Sequence, residues 1–539
     1  MDCLIISYSE PSRVRERNQF FHEPNKEGSG WGRFLHLNYI AYEGDIVLPN
    51  QLASIASRLR SSGKIEKSED GFFKMSDISR YSAWKIPPLG GLFLYQYLKG
   101  LHFDVGLVQH AQLERDKLDS LLNQEPKVIA VSTTLILNPI DISALVQYCR
   151  SRSPQSFIVL GGQSIWSRYL SNPEHPNLFK SYRADAVVLD PKGFKTLGSI
   201  VGHIKSNKDL RDVPNLILYF KNNTESTASN PEKYDFKEDA ISWDLIDDYL
   251  LDRVSLLRTA ISCPFKCAFC SYPATQGVFM KSDLGVVEAD LQALKDRGVK
   301  FLLFTDDTFN FPKKRFEHLL SSLAKHDFSW YAFIRCQYLD KQLVKRMKES
   351  GCAGAYLGLE SANEKILRAM NKKASVEDYR KGVELLASEE ITTLASFVVG
   401  FPGETDASVE DTKEFIRNSG IDYYNVKIFY YEHCAPIFNS RSKLNLTGQG
   451  MNWRHDTMSS PEAFEKTEAF IRDLKEVPYI PQHSGEIWEI AHFREQGIPD
   501  HAIYLLYRHF TEMLRASLGE SSRPRLNTKR VLSELGKYF

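Results

Sequence analysis

Apolar and polar positions along this chain fall into a repeating beat. Short apolar runs alternate with longer stretches that carry apolar residues at helical spacing. The first run, Met1 to Tyr8, reads as a short strand. Residues up to about 80 then lose the beat: Asn18 to Trp31 is polar and aromatic, and Ser61 to Ser76 is charged. They read as insertions or loops around that first strand. Order returns at Pro87-Pro88-Leu89-Gly90-Gly91, where proline opens a helix that Gly100 closes. Strands follow at Phe103–Val108, Val128–Ser132, Phe157–Leu160 and Ala186–Leu189, with helices at Leu113–Leu122 and Pro139–Arg150 between them. Continuous apolar strands separated by amphipathic helices predict a doubly wound parallel sheet. Ligands of such sheets bind beyond the carboxyl ends of the strands. Ser132, Thr133, Thr134, Gly161 and Gly162 stand there, although a generic α/β domain with no ligand fits the same pattern.

Residues 206–250 are polar and read as strand remnants and a linker. The beat then resumes. An apolar, β-branched-rich run at Val254–Ile261 reads as one buried strand. Strands at Phe301–Phe304, Trp330–Ile334, Ala355–Leu359, Thr393–Val399 and Tyr423–Tyr431 follow, with helices between them. Six such units predict a parallel barrel or most of one, with its active face at the strand C-termini. Beyond about Ile437 the pattern becomes helical, at Pro461–Lys475 and Pro499–Leu518, which predicts a helical cap. The Gly450–Met458 loop gathers aromatic, amide, charged and imidazole groups, as substrate loops and ordinary surface loops both do. The basic end from Arg523 reads as prone to fray. The predicted fold class is α/β throughout: an N-terminal doubly wound sheet (1–205), a linker (206–250), a partial (β/α)6 barrel (251–436) and a helical C-terminal region (437–539).

Composition changes this picture little. The 539 residues carry 68 basic and 68 acidic side chains, which argues against a nucleic-acid partner. No apolar run is long enough to span a membrane, and the start lacks a signal-peptide pattern. The eight cysteines show no disulfide spacing, so a reducing cytoplasmic setting is the expectation.

The cysteines do change it. Cys263, Cys267 and Cys270 form a C-x3-C-x2-C stretch at the end of the first barrel strand. Thiolates suit zinc or iron–sulfur clusters. Structural zinc wants four ligands and a [4Fe-4S] cluster normally takes four cysteines, so three leave one iron open. The strand-end residues of the barrel are candidates beside them. Glu360 ends an apolar strand, as a ligand or as a helix cap. Arg335 suits a bidentate carboxylate or a structural ion pair. Asp306 and Asp307 suit a ligand or a turn.

The cysteine stretch, with aromatic Phe269 before its last cysteine, resembles the cluster loop of the radical S-adenosylmethionine (SAM) superfamily. The resemblance implies a [4Fe-4S] cluster whose open iron chelates SAM, cleaved on reduction to a 5′-deoxyadenosyl radical. It implies that Glu360, with Ser361 beside it, contacts SAM. It also implies that the backbone of Gly400-Phe401-Pro402-Gly403-Glu404-Thr405 lies by the adenine. An external electron donor such as flavodoxin or ferredoxin is implied as well. The Pro-Pro-Leu-Gly helix and the Ser-Thr-Thr and Gly-Gly strand ends resemble the cobalamin-binding, Rossmann-like domain of cobalamin-dependent radical SAM enzymes. The D-x-H-x-x-G motif is absent and His110 lacks its context, which implies cobalt with an open lower face. Asp-Asp-Thr-Phe-Asn, Gly-Phe-Pro-Gly-Glu-Thr and the Asn452-Trp453-x-His455-x-Thr457-Met458 segment resemble the P-methyltransferase type of phosphinothricin-tripeptide pathways.

The implied activity is methylation of an unactivated carbon or phosphinate phosphorus on a small, phosphinate or amino-acid-derived substrate, through methylcobalamin and the 5′-deoxyadenosyl radical. Non-methylating rearrangement, cyclisation or epimerisation is the alternative, and a non-catalytic cobalamin sensor is a third, against which the three cysteines argue. The Asn452–His455 loop is the expected third wall over substrate, facing both sets of strand ends across one closed cavity.

Overall fold

The computed structural model describes residues 1–10, 13–22, 30–68, 71–136, 138–173, 175, 177–221, 223–482, 485–518 and 528–539. The start of the basic tail at Arg523 lies outside them. Two sheets organise the chain. The first has strands Cys3–Ile6 (β1), Val105–Val108 (β2), Val128–Ser132 (β3), Phe157–Gly161 (β4), Ala186–Val188 (β5), Leu216–Tyr219 (β6) and Thr224–Ser226 (β7). Their order is β2-β1-β3-β4-β5-β6-β7. The five strands from β2 to β5 run parallel, as their two-sided burial requires. Strands β6 and β7 add on antiparallel. Part of the expected linker is therefore sheet: Leu216, Ile217 and Leu218 are buried against β5.

The second sheet runs in sequence order through Val254–Leu257 (β8), Phe301–Phe304 (β9), Ser329–Ile334 (β10), Cys352–Glu360 (β11), Thr392–Val399 (β12) and Tyr423–Ile428 (β13). All neighbours are parallel and β8 does not pair with β13, so the barrel is open. Helices return the chain between strands and are fixed at their ends by local chemistry. Ser375 and Thr405 cap Val376–Ser388 and Asp406–Ser419 with reciprocal capping boxes, each worth about 1 kcal/mol.

Two expectations need correction. The Val254–Ile261 strand is broken after Leu257. Ala260–Ile261 leaves the sheet and pairs antiparallel with Met280–Lys281. The early segment is not loops either. It forms helices Arg13–His22, Gly30–Asn38 and Pro49–Ser62 and a hairpin, Ile40–Tyr42 with Asp45–Val47. These join the C-terminal helices in one layer. Arg60 Nη1 donates to the carbonyls of Gly536 and Lys537, Arg33 to that of Pro461, and Tyr81 packs on Phe493 and Phe539. Pairing across almost the whole chain length leaves no local periodicity to read. Among the described residues no helix is long and apolar enough to cross a membrane.

Candidate active site

The break after β8 is what aims the cysteine loop. Asp306, at the end of β9, is buried, and its carboxylate accepts N–H from Thr259 (2.7 Å) and Ala260 (2.9 Å) and the Thr259 hydroxyl (2.5 Å). Burial raises its pKa while those bonds favour the charged form. Both oxygens are thus committed to turning the chain out of the sheet. This corrects the expectation that Asp306 binds cofactor.

The loop itself is strapped from three sides. Ser262 takes a left-handed conformation (φ 65°) and donates to the Gly277 carbonyl. Ala268 N–H donates to Met370, Asn371 Nδ2 to Lys266, and Ile437 N–H to Ala268. Cys267 is buried, with Cys263 and Cys270 half-buried. Burial pushes the Cys270 thiol up to about 12, and charge on Cys267, Asp307 and Cys263 would push it the same way. The three sulfurs therefore share one electrostatic neighbourhood. Among the described residues no three His, Cys, Asp or Glu side chains are gathered tightly enough to grip a single ion. A four-iron cluster is wider than an ion, and the donor set fits one with a corner left free.

Arg335 stands against this loop. It is buried, its guanidinium lies 3.8 Å over the Phe265 ring, and Nη2 reaches Cys267 Sγ and the Lys372 carbonyl at 3.5 Å. Nη1 is buried with no hydrogen-bond partner. One donor edge thus stays unclaimed beside the thiols. Glu360, held in a left-handed conformation (φ 68°), pairs with Lys372 at 2.9 Å, whose Nζ lies 6.0 Å from the Phe269 ring. Lys372 is a site residue that strand-end reasoning missed, because it lies in a loop. Ser361 is fully buried and its hydroxyl accepts from the N–H of Asn363, which itself caps the next helix, so that oxygen is engaged within the fold rather than offered to SAM as expected.

The Gly400–Thr405 turn needs its glycine. Gly400 sits at φ 96°, and a Cβ there would stand 2.5 Å from Trp453. Its N–H donates to Glu404, and its carbonyl accepts from His455 Nε2 at 2.9 Å. Pro402 is buried within the turn, and Phe401 meets Phe269 edge to face. Burial pushes the Glu404 carboxyl up to about 8. Trp453 and His455 lie stacked and buried behind the turn, with Trp453 Nε1 bonded to the Phe429 carbonyl. The expected substrate loop is therefore a small antiparallel sheet, Thr447–Gln449, Asn452–His455 and Met458–Ser459, that braces the turn. The alternation of exposed Asn452 and Arg454 with buried Trp453 and His455 was the readable signal.

A cavity of about 370 Å³ opens between the two sheets. Its first wall is the carboxyl edge of the first sheet, Ser132, Thr134, Gly161 and Gly162, with Gly90 and Gly91 at the start of the Leu89–Gly100 helix beside it. Its second wall is Leu256, Arg258, Tyr272, Gln276 and Thr305, and Tyr272 stands two residues past Cys270. Trp166 Nε1 donates to the Thr275 carbonyl and Gln276 Nε2 to Gln163, which locks the walls together. Thr133 is fully buried and spends its hydroxyl on the Gly161 carbonyl, so it joins β3 to β4 behind the edge. This corrects its expected ligand role. His110 is buried elsewhere. Nε2 lies 3.2 Å from Glu10, and Nδ1 accepts from Gln112 and Leu113. Among the described residues no histidine, cysteine or methionine lines the cavity. Arg258 and Tyr272 were not singled out from the sequence, although Arg258 directly ends β8 and the strand-end rule reaches it.

Residues 258–416 match the Radical SAM superfamily. An uncharacterised methyltransferase of Pyrococcus horikoshii is 28% identical over 410 residues, 72% of this chain and 85% of that protein. The bacteriochlorophyllide d C-12(1)-methyltransferase of Chlorobaculum tepidum is 32% identical over 167 residues, 30% of this chain and 37% of that one. Among solved structures, the radical SAM methyltransferase TsrM of Kitasatospora setae, with cobalamin and a [4Fe-4S] cluster bound, aligns with a TM-score of 0.59 at 13% identity. The alignment covers 80% of this chain and 96% of that one. The cobalamin-dependent radical SAM enzyme OxsB, with aqua-cobalamin bound, aligns at 0.54 and 15%, over 92% and 91%. Residues 258–416 therefore form a radical SAM domain, in a chain that shares its fold with those two proteins.

Proposed function

We propose that this chain is a cobalamin-dependent radical SAM methyltransferase, acting on an unactivated carbon or a phosphinate phosphorus of a small molecule. The observation that carries the reading is the shared cavity. The glycine-rich edge of the first sheet and the helix that follows the three cysteines wall one space. Cys263, Cys267 and Cys270 would hold the cluster. Arg335 and Glu360 would orient SAM on its free iron, with the Gly400 turn beside the adenine. Ser132, Thr134, Gly161 and Gly162 would face the corrin. Bound there, the cluster with SAM would supply a 5′-deoxyadenosyl radical and cobalamin would supply the methyl group.

The chain's own residues set the geometry for that chemistry. Arg335 Nη1 is a desolvated donor with nothing to bond to, which suits a carboxylate that arrives with its ligand. Glu360 is fixed before any ligand binds, by its backbone and by Lys372. Phe265 and Phe269, with Phe401 packed on Phe269, place apolar rings beside the thiols. The locked domain contact would keep two reacting groups within one cavity, where a short-lived radical requires separations of about 3–3.5 Å.

The test is reconstitution. Anaerobically rebuilt protein should hold about four irons and form 5′-deoxyadenosine with a reductant. Replacing Cys263, Cys267 and Cys270 together with Ala should abolish both. Reductive SAM cleavage by the triple variant would sink the reading. With substrate, a product heavier by one CH2 supports methyl transfer, and an isomeric or cyclised product refutes it.

A further inference from the structure

Arg258 does work that the roles above leave unassigned. It directly follows β8, lines the cavity between the two sheets, and is half-buried. Its guanidinium lies 5.4 Å from the Phe93 ring and 5.5 Å from that of Tyr234, and Nη2 donates to the Tyr234 hydroxyl. Nε is buried with no hydrogen-bond partner. Among the described residues no carboxylate lies within ion-pair distance of it.

The other charges on the cavity wall are already satisfied. Lys192 pairs with Asp239 at 2.5 Å. Asp190 accepts N–H from Lys192, Gly193 and Glu232 at 2.7–2.8 Å. Arg258 is thus the cation on this wall that has no ion pair, and of its donors only Nη2 is bonded within the fold. A guanidinium drawn out of water without a counter-ion is unfavourable. Its planar fork matches the paired oxygens of a carboxylate or phosphorus oxyacid, which a lysine ammonium does not. The Phe93 and Tyr234 rings flank it where it lines the cavity.

We propose that Arg258 holds an oxyanion, a carboxylate or a phosphorus oxyacid, on the molecule bound between the two domains. The inference builds on the cavity reading above and sharpens it toward an anionic ligand. The oxyanion belongs either to the substrate or to the phosphodiester of cobalamin, and the experiment separates the two.

Reconstituted full-length enzyme is compared with Arg258→Gln and Arg258→Lys in two assays. The first is thermal unfolding in inorganic phosphate against chloride at matched ionic strength. Wild type should gain several degrees in phosphate, Arg258→Gln should lose that gain, and Arg258→Lys, which keeps the charge but not the fork, should keep part of it. The second is absorbance titration with hydroxocobalamin and with dicyanocobinamide, which lacks the phosphate. If Arg258→Gln weakens cobalamin binding tenfold or more and leaves cobinamide unchanged, the oxyanion is the cofactor's. If both corrinoids bind as in wild type while the phosphate gain is lost, it is the substrate's. A wild type with no phosphate gain, or an Arg258→Gln with the full gain, overturns the proposal. A wild type that binds neither corrinoid instead defeats the cobalamin reading, and the phosphate assay still decides the role of Arg258.

Discussion

Replacing Gly162 with Ala tests the edge of the first sheet at its tightest point. Gly162 has φ 109° and ψ −177°, a region open to glycine and closed to other residues. Forcing a side chain into it costs about 1–3 kcal/mol. The added Cβ would also stand 2.8 Å from Thr134 Oγ1, 3.0 Å from Thr134 N and 3.1 Å from Thr133 N. The hydroxyl can rotate away. The two backbone nitrogens cannot move without stretching the Thr133 N–H bond to the Gly161 carbonyl, at 2.7 Å, a bond worth about 1 kcal/mol. The sum is about 2–4 kcal/mol, concentrated where β3 and β4 end on the cavity. Gly497→Ala is the control, because its φ of 78° is also positive while nothing lies within 4 Å of its Cβ. Cobalamin titration by absorbance and thermal unfolding are then read side by side. Gly162→Ala should lower Tm and weaken cobalamin binding by roughly 30-fold or more, at about 1.4 kcal/mol per tenfold. Gly497→Ala should lower Tm alone. Wild-type cobalamin affinity in Gly162→Ala would refute the assignment of this edge to the corrin, whatever happens to Tm.

Three further outcomes follow from single residues. Electron paramagnetic resonance of the cob(II)alamin form should lack the splitting of an axial imidazole; splitting that vanishes in His110→Ala would show that His110 leaves its bonds to Glu10 and the Gln112 and Leu113 amides for cobalt. His492 is 3% exposed with neither ring nitrogen hydrogen-bonded, and burial, helped by Lys85, lowers its pKa to about 4. Its folded pKa lies below its unfolded one, so stability is lost as pH falls from about 6.5 toward 4, by about 3 kcal/mol in all; Tm of His492→Leu should fall less than that of wild type between pH 7 and 5, and parallel curves would contradict this. Glu404 is the opposite case, with a folded pKa of about 8; its contribution is full below about pH 4.5 and lost as pH rises through 8. Glu404→Gln keeps an acceptor for Gly400 N–H and should hold its Tm better than wild type above pH 8, an advantage whose absence would place the Glu404 charge elsewhere.

What was legible in the sequence was local. The parallel strands showed because residues such as Ile129, Val131, Leu302 and Leu303 are buried on both faces, so their apolar runs need no alternation. The cysteine loop showed because its ligand spacing is fixed by the group it fits. The break after Leu257 did not show, because Thr259 and Ala260 remain strand-like residues whose pairing was claimed by Asp306, 46 and 47 positions away. The helical layer did not show either. Its partners, Arg60 and Gly536, lie 476 positions apart, and neither segment is apolar enough alone to declare a core.

The same distinction separates the candidate residues that reach the cavity from those that do not. Ser132 and Thr133 are neighbours at one strand end, yet they point to opposite faces, and only the first lines the cavity. Thr133 faces inward, where an unbonded hydroxyl would be costly, and it is satisfied by the Gly161 carbonyl at 2.9 Å. Glu360 and Ser361 divide in the same way, one paired with Lys372 beside the cluster loop and one sealed under the next helix. Strand-end position alone therefore selects residues two at a time, and the pleat decides between them. Arg258 passes both tests: it directly follows β8, and it lines the cavity with its Nε unpartnered. A hydroxyl at such a position that backbone groups satisfy is structural, and a cationic side chain there that keeps an unpartnered donor is one a ligand completes.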